Sequence, residues 1–216
     1  MTHNQKMRLN LVVIAIMFAG IIFLAIRAEQ RVYDNKGRLG VRQEGDAVVF
    51  VWKSAVDVPM ARRFEEAFDE WRYDGARIII DLHSPGGALR EGEEVIQVIN
   101  YMKRTHRVDT RVRAGRSCLS MCVPIFLQGE TRQAAPSSRW MFHEPTARDF
   151  FTGEEVNEPA FERRHATARF VERYFVNSDM DPAWREELVA EWKGKDLWKS
   201  GRELAAEGSG VVTVLK

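Results

Sequence analysis

One short segment constrains the fold more than any other: residues 77–82, which read Arg-Ile-Ile-Ile-Asp-Leu. Three consecutive isoleucines favour a β-strand, because β-branched side chains pack well on a pleated surface. The run does not alternate apolar and polar residues, so we expect burial on both faces, as in a parallel sheet between helices. The sequence on either side should therefore supply crossover helices.

The flanking sequence fits this expectation. Residues 47–52 and 108–113 are strand-like, and residues 59–71 and 89–104 show apolar positions at helical spacing. Strand, helix, strand, helix, strand indicates parallel βαβ units with right-handed crossovers, so the predicted fold class is α/β. The last third should be mostly helical, with a helix after Asp181-Pro182, a closing strand at 211–215, and one apolar stripe formed by Phe161, Ala168, Val171, Tyr174 and Phe175.

The N-terminal region carries an apolar run at residues 11–26, sixteen residues without a polar side chain. As a helix it would be roughly 24 Å long, slightly less than the ~30 Å hydrocarbon core of a bilayer. We expect one transmembrane signal anchor over residues 1–28, a linker over 29–45 and one folded domain over 46–216. The alternative is a cleaved signal peptide, but the best cleavage site is poor. A short N-terminal tail stays in the cytoplasm, which predicts an inner-membrane protein with a periplasmic domain, or a secreted one if the segment is cleaved.

Composition excludes some classes of function. The net charge of +1 gives no electrostatic reason to expect nucleic acid as a partner. No group of His, Cys, Asp or Glu in the sequence has metal-ligand spacing, so neither a metal nor another cofactor is expected.

Three motifs carry candidate chemistry. Residues 84–87 (Ser-Pro-Gly-Gly) lie between a strand and a helix, where exposed backbone N–H groups can hold an oxyanion. Residues 115–122 contain Ser120 before an apolar segment, and a serine at such a turn is presented to solvent. Residues 136–145 contain a short predicted strand that ends at His143. Singly, these motifs are equally compatible with an ordinary turn, an N-cap serine and a structural histidine.

In this order the motifs resemble the proteolytic subunit of the Clp protease, within the crotonase superfamily, over about residues 45–216. The Pro-x-Ser-Arg-x-Met-x-His-x-Pro pattern at 136–145 is the most specific part. The resemblance implies stacked βαβ units and a serine peptidase that acts on polypeptides and forms homo-oligomers. The roles it implies are Ser120 as nucleophile, His143 as base, Asp196 as orienting acid, and the amides of Gly87 and Met121 as oxyanion donors.

Some assignments stay open. The turn is one residue longer than the family pattern, which makes Ser117 a second candidate nucleophile, and Asp179 and Asp181 are substitutes for Asp196. Cys118 and Cys122 flank Ser120, as in predicted periplasmic Clp-like proteins, and either form a disulfide that rigidifies the turn or are two small buried residues. A Ser–Lys dyad has no suitable lysine near Ser120. Besides a membrane-anchored peptidase, an inactive scaffold or binding module and a crotonase-like acyl-CoA enzyme remain alternatives.

Overall fold

The computed structural model describes residues 14, 16–23, 39–146 and 159–216. The chain divides into two units, Met1–Lys36 and Gly37–Lys216. In the first unit, the described residues 14 and 16–23 are helical and exposed. Among all described residues, no helix has the length and apolar character needed to cross a membrane. The other residues of the predicted anchor at 11–26 lie outside the described part of the chain.

A six-stranded sheet forms the centre of the second unit. Its strands are β1 (Leu39–Glu44), β2 (Ala47–Trp52), β3 (Arg77–Leu82), β4 (Arg107–Val112), β6 (Arg132–Ala134) and β9 (Val214–Leu215). They are arranged in the order β1-β2-β3-β4-β6-β9, in which β1 is antiparallel to β2 and every other neighbouring pair is parallel. The isoleucine run is β3, which lies between β2 and β4 and is buried over residues 78–82.

One face of this sheet is covered by helices. Helices α1 (Met60–Trp71) and α2 (Leu89–Met102) are the β2–β3 and β3–β4 crossovers and pack against each other. Phe50, Phe64 and Ile80 are fully buried in the resulting core, as expected where side chains alternate between the two faces of a strand. The remaining helical segments are α3 (Cys122–Phe126), α4 (Ala160–Val171), a π-helical turn (Glu172–Val176), α5 (Pro182–Glu191) and α6 (Gly201–Ala206).

A second, three-stranded sheet carries the segments with candidate chemistry. Its order is β5-β7-β8, formed by β5 (Ser117–Leu119), β7 (Arg139–Phe142) and β8 (Leu197–Ser200). Strands β5 and β7 are parallel, whereas β7 and β8 are antiparallel. Because parallel strands end at the same edge of a sheet, the residues that follow β5 and β7 come together there.

Ion pairs cover part of the opposite face of the central sheet. The carboxylate of Glu44 accepts hydrogen bonds from Arg111 at 3.0 Å, from Arg113 at 2.8 Å and from Arg42 at 2.6 Å. The buried Asp81 accepts from Arg111 and Arg113 as well. These bonds, with that of Arg111 the strongest influence, lower the pKa of Glu44 from its ordinary 4.5 to about 2.

The structure bears out the α/β class and corrects several details. Residues 39–44, assigned to the linker, form strand β1, because their backbone pairs with β2. The predicted stripe is wrong in its first half: Phe161 is 55% exposed and Ala168 is exposed, whereas Tyr174 and Phe175 are buried. The predicted closing strand at 211–215 is reduced to its last residues, 214–215. Strands β5, β6 and β8 were not predicted; two of them are three residues long, too short for a periodic pattern.

Candidate active site

Ser120 lies at a sharp turn between strand β5 and helix α3. Its φ of 51° is in the left-handed region, which a non-glycine residue adopts only where the surrounding structure enforces it. The Ser120 amide donates to the carbonyl oxygen of Met141 at 2.9 Å, which ties the turn to strand β7. Ser120 lines a cavity, and the strand-turn-helix geometry presents its hydroxyl to that cavity.

His143 follows the last residue of strand β7 and lies beside this hydroxyl. The Nε2 atom of His143 is 2.6 Å from Oγ of Ser120, which is hydrogen-bonding distance. The imidazole is partly buried. In its neutral form, with the proton on Nδ1, the ring can accept the serine proton at Nε2.

Asp196 comes directly before strand β8, just as His143 comes directly after strand β7. In the antiparallel β7–β8 pair, Phe142 faces Leu197, so the next residues along the same register are His143 and Asp196. Facing residues in such a pair have Cβ atoms about 5 Å apart. Both side chains line the same cavity, and the Asp196 carboxylate is exposed. Among the described residues, no hydrogen bond joins Asp196 to His143.

The amides of Gly87 and Met121 are the candidate oxyanion donors. Val56 donates to the carbonyl oxygen of Gly86 and accepts from the amide of Ala88, so the Gly87 amide between them points away from Val56. Met121 precedes the first residue of helix α3. Neither amide has an acceptor among the described residues, and both residues line the cavity. Two such donors are what a developing oxyanion requires.

The turn at residues 84–87 packs directly against residues 119–121, which form the serine turn around Ser120. The amide of Leu119 donates to the carbonyl oxygen of Ser84, and the amide of Ser84 donates to the carbonyl oxygen of Ser117. Gly86 has a φ of 88°, and a Cβ atom built on it would lie 2.6 Å from Cβ of Ser120 and 2.6 Å from the Leu119 carbonyl oxygen. Glycine is therefore required here by the backbone conformation and by the close approach of the two turns.

A cavity of about 830 Å³ contains these groups and extends to an aromatic wall. Phe170, Phe175 and Trp192 form this wall, with ring centroids 5.3 to 6.4 Å apart. In a regular α-helix, residues five apart point about 140° away from each other. The π-helical turn at 172–176 is wider than an α-helical turn, with hydrogen bonds between residues five apart. This wider turn brings Phe170 and Phe175 to one side.

Two members of this wall were not predicted from the sequence. The predicted apolar stripe contains Phe175 but not Phe170, because it follows α-helical spacing throughout. The five-residue interval between the two phenylalanines was the available signal. Trp192 follows helix α5 and carried no periodic pattern that could have placed it at the cavity.

The alternative candidates do not lie at the cavity. Ser117 donates its amide to Nδ1 of His83, and its hydroxyl is 3.1 Å from the same atom. Asp179 pairs with the buried Arg132, and Asp181 caps helix α5 by accepting from the amide of Trp184. None of the three candidate residues lines the cavity with Ser120.

The two cysteines flank the serine turn. Cys118 and Cys122 are joined in a disulfide with their Cα atoms 5.2 Å apart, and both are fully buried. In the part of the chain that the structure describes, no group of three or more His, Cys, Asp or Glu residues could hold a metal ion.

Comparisons with known proteins identify the fold. Two solved structures share the fold: a variant of ClpP1 from Listeria monocytogenes, with 17% identity and a TM-score of 0.58, and a variant of 1510-N, a membrane-bound stomatin-specific protease, with 18% identity and a TM-score of 0.59. The alignments cover 78% of this chain and 90% of the first, and 79% of this chain and 77% of the second. No curated protein sequence matches the chain significantly.

The family model for the Clp protease matches residues 67–201, which is more than half of the chain. The matched range includes Ser120, His143 and Asp196. The chain therefore belongs to the Clp protease family of serine peptidases.

Proposed function

We propose that this protein hydrolyses peptide bonds in polypeptides through a Ser-His-Asp acyl-enzyme mechanism. The observation that carries the proposal is the 2.6 Å separation of Ser120 Oγ and His143 Nε2, beside two backbone amides that have no acceptor among the described residues. An inactive scaffold would have no need to keep the left-handed φ of Ser120, which is unfavourable by about 1–3 kcal/mol.

In this mechanism, Oγ of Ser120 attacks the carbonyl carbon of the scissile bond while Nε2 of His143 takes the hydroxyl proton. The carbonyl oxygen becomes an oxyanion, which accepts hydrogen bonds from the amides of Gly87 and Met121. His143 then gives the proton to the leaving amine, and the C–N bond breaks to form the acyl-enzyme. Water, deprotonated by His143, hydrolyses the ester and regenerates Ser120.

Asp196 has an orienting role in the proposal. Its carboxylate, opposite His143, would hold the proton on Nδ1 and stabilise the imidazolium that forms during attack. The hydrogen bond that this role requires would form by rotation of the exposed Asp196 side chain, since apo active sites often tighten only with substrate bound.

The aromatic wall supports a polypeptide substrate with an apolar side chain near the scissile bond. Phe170 lines the cavity while partly exposed, and it packs against Phe175 and Trp192, which are each 1% exposed. An apolar side chain that packs on Phe170 loses contact with water. Such burial stabilises a complex by about 25 cal/mol per Å² of apolar area.

The proposal includes attachment to the inner membrane through residues 11–26, with the peptidase domain in the periplasm. The apolar run supports attachment, and one structural neighbour is described as membrane-bound. The proposal also includes self-association of the chain. Membrane fractionation after alkaline extraction tests attachment: the chain should stay with the membrane, and release into the wash would contradict it. Light scattering of the detergent-solubilised protein measures self-association.

Hydrolysis of an unfolded polypeptide tests the catalytic proposal. Purified wild-type protein should release peptides from denatured casein, whereas Ser120→Ala should not. Ser117→Ala serves as the matched control and should keep its activity, because Ser117 does not line the cavity. Equal peptide release by wild type and Ser120→Ala, or none by either, would contradict the proposal.

A further inference from the structure

The disulfide closes a very small ring around the proposed catalytic groups. Cys118 and Cys122 are four positions apart, so the bond encloses the nucleophile Ser120 and the oxyanion donor Met121. Cys118 lies in strand β5 and Cys122 is the first residue of helix α3. The bond thus links the strand that enters the turn to the helix that leaves it.

The backbone inside this ring is strained. Ser120 has a φ of 51°, a conformation that ordinary residues leave unless the surrounding structure prevents it. On the entry side, Cys118 is held by its pairing with Trp140 and its bridge to Ser84. On the exit side, the amide of Val123 donates to the carbonyl oxygen of Ser120, a bond internal to the turn. The disulfide adds a second covalent link between the two sides, besides the backbone itself.

Global stability gains comparatively little, about 2 kcal/mol, from a disulfide of this kind. A disulfide stabilises a protein mainly by restricting the unfolded chain, and this effect decreases as the enclosed loop becomes shorter. A loop closed by residues four positions apart is near the lower limit. The bond also restricts residues 119–121, which lie inside the ring.

We propose that Cys118 and Cys122 are positioning residues, and that their disulfide holds the Ser120 hydroxyl and the Met121 amide in catalytic geometry. The inference rests on the proposed peptidase function. On this inference, turnover requires that Cys118 and Cys122 are oxidised to the disulfide. A dithiol reductant breaks the S–S bond, each sulfur gains one hydrogen, and the dithiol becomes a cyclic disulfide.

Turnover and substrate affinity should respond differently to loss of the bond. Ser120 and Met121 act on the reacting carbonyl group, whereas the aromatic wall formed by Phe170, Phe175 and Trp192 belongs to elements that the disulfide does not join. Displacement of a catalytic group by about 1 Å can lower the rate about a hundredfold. The loss should therefore appear in kcat and leave KM nearly unchanged.

The experiment compares the double variant Cys118→Ala/Cys122→Ala with Val112→Ala, using a fluorogenic peptide that the wild type cleaves. Val112 is equally buried in the same core, lies in β4 and does not line the cavity. We expect kcat of the double variant to fall about tenfold or more, with KM changed by less than about twofold. Val112→Ala should keep both parameters and show a lowered thermal midpoint.

Reduction of the wild type provides the second measurement and keeps both cysteine side chains in place. Treatment with a dithiol until mass spectrometry shows the gain of two hydrogens should lower kcat, and reoxidation should restore it. Because both sulfur atoms are fully buried, exchange requires opening of the turn and should be slow in the native protein.

Two outcomes separate this inference from the proposed function. Wild-type kcat in the double variant and in the reduced enzyme would overturn the positioning role and leave the peptidase function intact. A wild-type enzyme without turnover would overturn the proposed function and this inference with it. If the double variant does not fold, the reduced and reoxidised wild type decides.

Discussion

The hydroxyl of Ser120 lies 2.6 Å from the imidazole of His143, although the two residues are 23 positions apart in the chain. Strands β5 and β7 run side by side in parallel, and each of the two residues follows the last residue of its strand. The contact is thus a consequence of strand pairing, reinforced by the hydrogen bond from the Ser120 amide to Met141.

Replacing Asp196 with asparagine should lower kcat on the order of 10²- to 10⁴-fold. Asparagine keeps the shape of the side chain but cannot stabilise the imidazolium that His143 forms. Steady-state kinetics with a peptide substrate measure the change. Asp181→Asn is the control, since Asp181 caps a helix and asparagine caps equally well. Normal kcat in Asp196→Asn would remove this residue from the mechanism.

Gly86→Ala should abolish turnover, because a Cβ atom at Gly86 would lie 2.6 Å from Cβ of Ser120 and would displace the serine turn. Gly45→Ala is a matched control: Gly45 also has a positive φ, of 63°, but an added Cβ would meet nothing within 4 Å. Both variants should lose about 1–2 kcal/mol of stability from the left-handed backbone. Thermal unfolding and peptide hydrolysis together check this, and an active Gly86→Ala enzyme would argue against the close packing of the two turns.

Phe175→Leu should raise KM several-fold for peptides with a large apolar residue before the scissile bond, because it removes part of the aromatic wall. The rate at which a small fluorophosphonate modifies Ser120 should not change, since that reagent does not need the wall. Phe68→Leu is the control: Phe68 is also 1% exposed but lies in helix α1, away from the cavity. An unchanged KM in Phe175→Leu would place substrate side chains elsewhere.

Glu44→Gln should destabilise the protein at neutral pH and progressively less in acid. The pKa of Glu44 is about 2 in the folded protein and 4.5 ordinarily, so its ion pairs contribute stability above pH 4.5. That contribution is lost as the pH falls from about 4.5 towards 2, because the carboxylate takes up a proton. Urea unfolding of wild type and Glu44→Gln from pH 7 to pH 3.5 should show the difference in unfolding free energy shrinking at the acid end. A constant difference would contradict the lowered pKa.

The regular core of the fold was predictable from the sequence, whereas several short elements were not. The isoleucines of β3 and the apolar spacing of α1 and α2 gave strong periodic signals, because those elements bury long faces. Strand β5 has three residues, and β8 alternates only weakly, so their pairing with β7 is decided by tertiary contacts. Strand β1 falls in the predicted linker because it lies at the edge of the sheet and its last three residues are polar, so it shows no strand-like apolar run.

The candidate site was predictable in its residue types but not in its contacts. Motifs placed Ser120 at a turn before an apolar segment and His143 at the end of a strand, and the structure adds the β5–β7 pairing that brings them together. The sequence offered three aspartates, and the β7–β8 register favours Asp196. The aromatic wall was incompletely predicted, because a π-helical turn does not follow the spacing that sequence patterns assume.

Covalent labelling with a fluorophosphonate tests most directly whether Ser120 is an activated nucleophile. Solubilised wild-type protein should react near neutral pH, with the adduct mapped to Ser120 by mass spectrometry, and labelling should vanish in Ser120→Ala and fall strongly in His143→Ala. Labelling that persists in Ser120→Ala, or a wild-type protein that folds but does not react, would contradict the assignment of Ser120 and His143 as a catalytic pair.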